Sequence, residues 1–185
     1  MARLKALNPE EVTGKTKVLF DGIKGKLGAV PNLMRTMGNS PSVLEAYLNF
    51  SGALSSSKIG GQLAELIALT VAKVNNCQYC AAAHSYLASK VAGIDDQTIE
   101  KARNLESIEP KIDAALTFAR ALVIRKGKVT NEELNTIKEA GFSDGEIAEI
   151  TAHVALNIFT NYINHVADTE VDFPKVNLNE TVING

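Results

Sequence analysis

The pattern of apolar positions along the chain is that of an all-helical protein. Apolar residues recur at three- and four-residue spacing through two long proline-free stretches, 42–109 and 111–173. The sequence contains no β-hairpin signal and no low-complexity tract. We therefore predict an all-α fold, a helical bundle that forms a single domain over 1–185 and ends in an extended C-terminal tail, 168–185.

Capping and turn residues divide this pattern into separate helices. Asn8 followed by Pro9 predicts the start of the first helix, and two hydroxyl–glutamate pairs, Thr130 with Glu133 and Ser143 with Glu146, have the spacing of capping boxes. The predicted helices cover 9–24, 31–37, 41–54, 60–74, 77–93, 96–105, 110–126, a short segment after 130, and 144–167. On the last helix the predicted inward face consists of Ile147, Ile150, Val154, Ile158 and Val166.

Composition and charge exclude several classes of protein. The 185 residues are 45% hydrophobic and 22% charged, as in an ordinary globular protein. Nineteen basic and 21 acidic residues give a net charge of −2, so we expect neither nucleic acid nor an anionic membrane surface as a partner. The first twenty residues lack the apolar run of a signal peptide, and the longest apolar stretch, 66–72, is too short to span a membrane. These features favour a cytoplasmic protein.

The two cysteines of the chain, Cys77 and Cys80, form a Cys-x-x-Cys pair. A secreted disulfide framework would spread several cysteines along the chain, whereas a lone pair in a reducing compartment is more often redox-active or metal-binding. With Asn76 as the predicted N-cap, Cys77 would open the fifth helix and Cys80 would lie in its first turn. The partial positive charge of the helix N-terminus favours the thiolate form of both sulfurs.

Two further residues are placed by helix geometry beside this pair. His84 follows Cys80 by four residues and so lies one turn further along the same face. Glu65 lies about 15 Å from the Asn75-Asn76 turn along the preceding helix, and His84 lies about 12 Å from it along the next. In an antiparallel hairpin Glu65 is therefore level with His84. This arrangement predicts a proton relay from Glu65 through His84 to Cys80.

The order in which the sulfurs react is left open by these arguments. Proximity to the helix terminus by itself favours Cys77, the earlier and more exposed residue. The base supplied by His84 favours Cys80, and we side with Cys80 on that ground.

Glu65, eleven intervening residues, Cys77-Gln78-Tyr79-Cys80, three further residues and His84 resemble the core motif of the alkylhydroperoxidase D family. This family lies within the carboxymuconolactone decarboxylase superfamily, and the resemblance covers the motif region 60–93. The rest of the chain, including Asn161-Tyr162-Ile163-Asn164-His165 and Asp172-Phe173-Pro174, is similar to the peroxidase-related branch.

The resemblance implies a thiol-dependent peroxidase with peroxiredoxin activity and an antioxidant role. In it, Cys80 attacks a hydroperoxide without a cofactor, Cys77 resolves the sulfenic acid to a disulfide, and Glu65 and His84 relay protons. It further implies an external dithiol reductant or lipoyl-type adapter and a homo-oligomer, either a trimer or a hexamer. The chain departs from the family pattern at Tyr79, where members can have histidine. The decarboxylase branch generally lacks the cysteine pair.

Other interpretations of the same residues stay open. Cys77, Cys80 and His84 could bind zinc with His153 or His165 as fourth ligand, or the cysteines could serve a disulfide oxidoreductase or a non-enzymatic redox sensor. His84 could be a hydrogen-bonded surface histidine and Glu65 a member of an ordinary ion pair.

Two other groups of side chains have both a structural and a functional interpretation. A polar stripe on the last helix could be a wall of the site, a subunit contact or a solvated face, and it consists of His153, Asn157, Asn161 and His165. Three aromatic residues could line a substrate pocket or belong to the core: Tyr47, Phe50 and Tyr86.

Overall fold

The computed structural model describes residues 2–106 and 108–178, and all of the regular secondary structure in these two ranges is helical. The helices are α1 (Gly14–Leu27), α2 (Asn32–Met37), α3 (Pro41–Leu54), α4 (Gly60–Val74), α5 (Gln78–Lys90), α6 (Asp96–Asn104), α7 (Pro110–Ile124), α8 (Asn131–Glu139) and α9 (Asp144–Ala167). The all-α prediction is confirmed, with the Cys-x-x-Cys pair at the start of the core helix α5. Within these ranges, no helix is long and apolar enough to cross a membrane.

The capping signals correctly predicted the starts of the last two helices. The Thr130 hydroxyl accepts a hydrogen bond from the backbone of Glu133, and the Glu133 carboxylate accepts one from the Thr130 backbone. Ser143 and Glu146 make the same reciprocal pair before α9. Because each pair satisfies two backbone donors that the helix cannot, a hydroxyl three residues before a glutamate defines a helix start locally.

The predicted start of the first helix was wrong. The side-chain oxygen of Asn8 accepts a hydrogen bond from the backbone of Glu10 and closes a separate turn over residues 9–11. Thr13 is extended and Gly14 has φ +59°, a left-handed conformation that interrupts any helix continuing from Pro9. The helix therefore begins five residues later than predicted.

Helix α4 is the central element of the bundle. It packs against α5, α6, α7 and α9, and its residues 66–73 are all buried. The larger apolar core lies between α4 and the helices α6 to α9, and includes Leu69, Phe118 and Ile150. A helix buried on several sides has little freedom to shift, so α4 gives a fixed support to the residues that project from it.

A second apolar cluster lies under the N-terminal helices and contains both cysteines. Phe20, Leu33 and Leu44 contribute to it from α1, α2 and α3. After α9 the chain turns back without helical structure, and Phe173 packs against the same cluster. In the expected tail, the described residues 168–178 contact α2 and α5, while 179–185 lie outside the described residues.

Truncating a side chain of α4 tests its central role. Leu69 is fully buried, so Leu69→Ala should lower the free energy of unfolding by about 2–5 kcal/mol through lost contacts and the cavity left behind. Leu27→Ala deletes the same atoms at a half-exposed position and should cost under about 1 kcal/mol. Urea unfolding followed by circular dichroism measures both. Equal losses would contradict the central position of α4.

Candidate active site

The turn between α4 and α5 sets the position of the cysteines. Asn76 has a left-handed backbone with φ 52°. The backbone N–H of Cys77 donates to the Ala72 carbonyl at 2.8 Å, and that of Asn76 donates to the Lys73 carbonyl at 3.1 Å. These two bonds make up a Schellman motif, which ends α4. The prediction that Asn76 caps α5 was therefore wrong, because its backbone is used to terminate the preceding helix.

Cys77 itself is the N-cap of α5. Its backbone is extended and its Sγ accepts a hydrogen bond from the backbone N–H of Cys80 at 3.4 Å. A serine or aspartate oxygen usually makes this contact at a helix start. Cys77 consequently takes part in the motif that ends α4 and also caps the start of α5. No loop residue separates the two helix ends beyond Asn75 and Asn76. Cys80 lies in the first turn of α5, as predicted.

Both thiols are buried and free. Cys77 is 1% exposed and Cys80 is 2% exposed, within the second apolar cluster. The expectation that Cys77 is the more exposed sulfur was wrong. The tail segment and the helices α1 to α3 cover Cys77 as completely as they cover Cys80. Exposure therefore does not distinguish the two sulfurs.

The electrostatic environment does distinguish them. The pKa of Cys80 is lowered by a hydrogen bond from the Cys77 thiol, and burial opposes this effect. The charge of His84 and the amides of Asn164 and Asn161 also lower the pKa of Cys80. The pKa of Cys77 is raised because its proton is held in the hydrogen bond to Cys80 and because the group is buried. Both shifts favour the thiolate form on Cys80.

Glu65 and His84 are in direct contact across the α4–α5 hairpin. Nδ1 of His84 lies 2.8 Å from Oε2 of Glu65, and about a fifth of each side chain is exposed. Burial lowers the pKa of His84, but the charge and hydrogen bond of Glu65 outweigh it, and the Cys80 thiolate acts in the same direction, so the net shift is upward. The spacing argument placed these two residues at the same level, and they are.

The polar stripe of α9 lies largely inside the protein. His153, Asn157 and Asn161 are buried, whereas His165 is exposed and its Nε2 bonds to the backbone carbonyl of Asn75. Val166, predicted to face inward, is 61% exposed. That prediction was wrong because the inward face of α9 near the cysteines consists of amide side chains instead of apolar ones.

Asn164 is a site residue that the sequence reasoning did not single out. Its amide Nδ2 donates to Sγ of Cys80 at 3.2 Å, and the residue is 5% exposed. The sequence did contain a signal for Asn164, because it lies three residues after Asn161 and so on the same helix face. A stripe defined by four-residue steps, from Asn161 to His165, does not include it.

A pocket of about 260 Å³ opens beside the Glu65–His84 pair. Its wall combines polar and apolar side chains, and the polar lining residues are Tyr47, Ser51, Ser55, Ser57, Glu65, His84, His153, Asn157 and Thr160. Burial raises the pKa of Tyr47 to about 12, aided by the negative charges of Cys80 and Glu65, so its hydroxyl remains a donor at neutral pH. Of the three aromatic candidates, Tyr47 lines this pocket, while Phe50 and Tyr86 are 40% and 42% exposed.

Tyr79 serves as an anchor in the second apolar cluster. Its hydroxyl accepts a hydrogen bond from the backbone N–H of Leu33 at 3.1 Å, and its ring meets Phe173 edge-on at 5.8 Å. Burial raises its pKa above the usual range, with the nearby Asp172 carboxylate adding to the shift, so the phenol stays protonated. Tyr79 thus ties α2 and the tail to α5 and supplies no base.

The residues of the zinc alternative are not gathered in one place. His153 bonds through Nε2 to the Ser57 hydroxyl at 3.1 Å, and His165 bonds to a backbone carbonyl on the turn. Burial lowers the pKa of His153, so this imidazole is neutral. Over residues 2–106 and 108–178, no group of three or more histidine, cysteine or acidic side chains is arranged to hold a metal ion.

Comparison with known proteins identifies a family match. The family model described as Carboxymuconolactone decarboxylase family matches residues 41–123, which include all four motif residues. This match supports assigning the chain to the carboxymuconolactone decarboxylase superfamily, with an alkylhydroperoxidase D-like core. The family match indicates an enzyme of oxidoreductase or decarboxylase type. A search of curated proteins finds no match to this alkylhydroperoxidase D-like sequence.

Solved structures share the alkylhydroperoxidase D-like fold. A peroxidase-related protein from Ralstonia eutropha JMP134, described as an alkylhydroperoxidase AhpD core, is 21% identical with a TM-score of 0.82 and 92% coverage of both chains. A peroxidase-related protein from Silicibacter sp. TM1040 is 22% identical with a TM-score of 0.79, covering 92% of this chain and 94% of that one. The debrominase Bmp8, as a cysteine-to-alanine variant with 2,3,4-tribromopyrrole, is 22% identical with a TM-score of 0.79, covering 92% and 91%.

Replacing Glu65 tests the ion pair. In Glu65→Gln the negative charge beside His84 is lost, so the His84 pKa should fall, as measured by NMR titration of the imidazole. A raised histidine pKa stabilises the fold below the unfolded-state value and this contribution disappears as the pH rises through the folded-state value. The stability lost in Glu65→Gln should accordingly be largest near about pH 6 and decline at higher pH.

Glu45→Gln provides the control for this experiment. It neutralises an exposed carboxylate on α3 that pairs with Lys15, and it should leave the His84 titration unchanged. A His84 pKa that is the same in wild type and Glu65→Gln would contradict the ion pair.

Removing the Tyr79 hydroxyl tests its role as an anchor. Tyr79→Phe keeps the ring but leaves the Leu33 N–H without a partner, so unfolding free energy should fall by about 1–3 kcal/mol. The rate at which peroxide consumes the thiols should stay within about twofold, because Tyr79 supplies no proton. Tyr162→Phe, at a 60% exposed position, is the matched control for stability. A large rate loss with unchanged stability would contradict the anchoring role.

Proposed function

We propose that this protein is a thiol-dependent peroxidase that reduces hydroperoxides with Cys80 as the attacking residue and Cys77 as the resolving one. The observation that supports this most strongly is the 3.2 Å hydrogen bond that the Asn164 amide donates to Sγ of Cys80. It favours negative charge on Cys80, and the interaction between the two thiols acts the same way, lowering the pKa of Cys80 and raising that of Cys77. The peroxide-reactive form of a cysteine is the thiolate, so this polarity assigns the first step to Cys80.

The first half-reaction consumes the hydroperoxide. The Cys80 thiolate attacks the terminal oxygen, the O–O bond breaks, and Cys80 becomes a sulfenic acid while the peroxide is reduced to an alcohol or water. The leaving alkoxide needs a proton, which His84 supplies in its imidazolium form. Glu65 stabilises that imidazolium through the 2.8 Å contact and thereby positions the proton donor.

The second half-reaction forms the disulfide. The sulfur of Cys77 attacks Sγ of Cys80, the S–O bond breaks, and the Cys77 proton leaves with the oxygen as water. The positions of the two sulfurs, at the N-cap and in the first turn, already bring them into hydrogen-bond contact. An external dithiol or lipoyl-type adapter then reduces the disulfide in two exchange steps and is itself oxidised.

The pocket provides the route by which a hydroperoxide would approach. Its Glu65–His84 wall is one helical turn from Cys80, whose own exposure is 2%. Access to the sulfur therefore requires side-chain movement at the inner end of the pocket. The polar lining with the protonated Tyr47 hydroxyl suits the two oxygens of a small or organic hydroperoxide. The proposed homo-oligomer and a cytoplasmic location rest on the family resemblance and the sequence, and remain predictions.

Two other activities would use the same dithiol. A disulfide oxidoreductase would exchange the Cys77–Cys80 pair with a protein or small-molecule disulfide and need no peroxide. Reductive dehalogenation of a small aromatic is suggested by the likeness to the debrominase Bmp8, which shares the fold and whose crystallised variant lacks a cysteine. Decarboxylation is disfavoured because the decarboxylase branch generally lacks the cysteine pair.

The peroxidase proposal predicts a specific set of oxidation products. Cys77 and Cys80 are the only cysteines, so every thiol signal reports on the site. One equivalent of cumene hydroperoxide should remove both thiols of the wild type and give one intramolecular disulfide, measured by thiol titration and mass spectrometry. Cys77→Ser should stop at a sulfenic acid that a 1,3-diketone probe labels. Cys80→Ser should react at least about 100-fold more slowly, because the low-pKa sulfur is gone.

Parallel incubations with an aromatic disulfide and with 2,3,4-tribromopyrrole distinguish the alternatives. The wild-type thiols could persist in peroxide and yet be lost with the aromatic disulfide or with 2,3,4-tribromopyrrole. That result would overturn the peroxidase assignment in favour of disulfide exchange or dehalogenation, respectively. A Cys80→Ser variant that consumes peroxide at the wild-type rate would overturn the assignment of the attacking residue.

A further inference from the structure

Helix α9 presents two buried asparagine side chains to the Cys80 sulfur. Asn161 is fully buried and Asn164 is 5% exposed. The Asn164 amide Nδ2 donates to Sγ of Cys80 at 3.2 Å. The Asn161 amide lies near enough to the same sulfur to lower the pKa of Cys80, but its nitrogen has no partner in hydrogen-bond geometry. Burying amide side chains in an otherwise apolar cluster costs free energy. Their presence beside Cys80 therefore indicates a function that offsets this cost.

One polar atom of each asparagine lacks a partner. In the described part of the chain, Nδ2 of Asn161 and Oδ1 of Asn164 are both buried without a hydrogen bond. The remaining atoms are used: Oδ1 of Asn161 accepts from Nδ2 of Asn75 at 2.9 Å, and Nδ2 of Asn164 donates to Cys80. The two asparagines therefore leave one unused donor and one unused acceptor beside the same sulfur.

This pair matches one chemical group in particular. A hydroxyl accepts through its oxygen and donates through its proton, so it needs one donor and one acceptor. A thiolate accepts only and leaves the Asn164 oxygen unpaired. The sulfenic acid of the proposed cycle is a hydroxyl attached to the Cys80 sulfur itself.

We propose that Asn161 and Asn164 form an amide pair that binds the sulfenic acid hydroxyl on Cys80. In this pair the Asn161 N–H donates a hydrogen bond to the hydroxyl oxygen, and the Asn164 oxygen accepts one from the hydroxyl O–H. The inference rests on the proposed peroxidase function and adds two residues that contact the reacting atoms. Asn75 is a positioning residue. Its amide donates to the Asn161 oxygen, which leaves the Asn161 nitrogen available to donate to the hydroxyl on Cys80.

Binding the hydroxyl in this way has two chemical consequences. During resolution the Cys77 sulfur attacks Cys80, the S–O bond breaks, and the Asn161 N–H stabilises the departing oxygen as it takes up the Cys77 proton to form water. Before resolution, the hydrogen bond that the sulfenic acid O–H donates to the Asn164 oxygen favours the neutral, protonated form. Oxidation to sulfinic acid by a second peroxide is then slowed, since an anionic sulfenate is the stronger nucleophile.

The test uses the Cys77→Ser protein, in which the sulfenic acid cannot be resolved. Asn161→Leu and Asn164→Leu are introduced into it. Asn161→Asp, which lacks the amide donor, and Asn164→Ala, which lacks the acceptor, provide further variants should a leucine variant not fold. After addition of cumene hydroperoxide, mass spectrometry follows the sulfenic acid, trapped by a 1,3-diketone, and the sulfinic acid. Each asparagine variant should accumulate sulfinic acid several-fold faster than Cys77→Ser alone.

A second readout does not depend on peroxide. The rate of Cys80 alkylation by iodoacetamide is measured against pH in otherwise wild-type protein. Loss of the Asn164 amide should move the midpoint of this profile upward by about one pH unit, since one hydrogen bond to a charged sulfur is removed. Thr70→Val is the control, because it removes a different fully buried polar group, bonded to the Leu66 carbonyl within α4.

The outcomes separate the two proposals. Asparagine variants that match Thr70→Val in both sulfinic acid formation and alkylation profile would overturn the amide pair while leaving the peroxidase intact. A shifted alkylation profile with unchanged sulfinic acid formation would overturn the sulfenic acid role. Failure of peroxide to oxidise the parent protein at all would overturn both, and the alkylation profile would still show whether the amides stabilise the thiolate.

Discussion

The α4–α5 junction is the constraint on which the candidate site depends. Asn76 ends α4 with a left-handed residue, and the next residue, Cys77, already caps α5. With no slack between the helices, the hairpin has one register, and that register brings Glu65 to 2.8 Å from His84. The same junction places the Cys77 sulfur against the first turn of α5. A longer loop would let either helix slide and would lose both contacts.

Hydrogen bonds and the charge of His84, and not burial, give the two thiols their difference in acidity. In an apolar surrounding both pKa values would rise, because the thiolate form is disfavoured. Here the charge that does form is concentrated on Cys80, which receives hydrogen bonds from Cys77 and Asn164 and lies near the charge of His84. Cys77 retains its proton as the donor of that pair. The direction of these hydrogen bonds, and not a difference in exposure between the sulfurs, favours the thiolate form of Cys80.

The predictions from sequence succeeded where the relevant interaction is local. Both capping boxes and the bounds of α9 depend on residues three positions apart, and both were correct. Four predictions failed where a residue had two local uses or a distant partner. Asn8 closes a turn of its own, Asn76 terminates the earlier helix, and Val166 lies outside the amide face of α9. Cys77, expected to be the more exposed sulfur, is covered by distant segments. Helix propensity and residue spacing do not show which of two such roles a residue takes in the folded protein.

The sequence by itself determined the helical class, most helix bounds and the four-residue motif, because helix periodicity, capping and the level of Glu65 with His84 follow from short spacings. Only the tertiary structure decided that both sulfurs are equally buried, that Tyr79 is an anchor under Phe173, and that Asn161 and Asn164 meet Cys80. These contacts join residues more than forty positions apart. They arise from packing α9 and the tail onto the hairpin, and packing depends on the whole set of side-chain shapes instead of any local pattern.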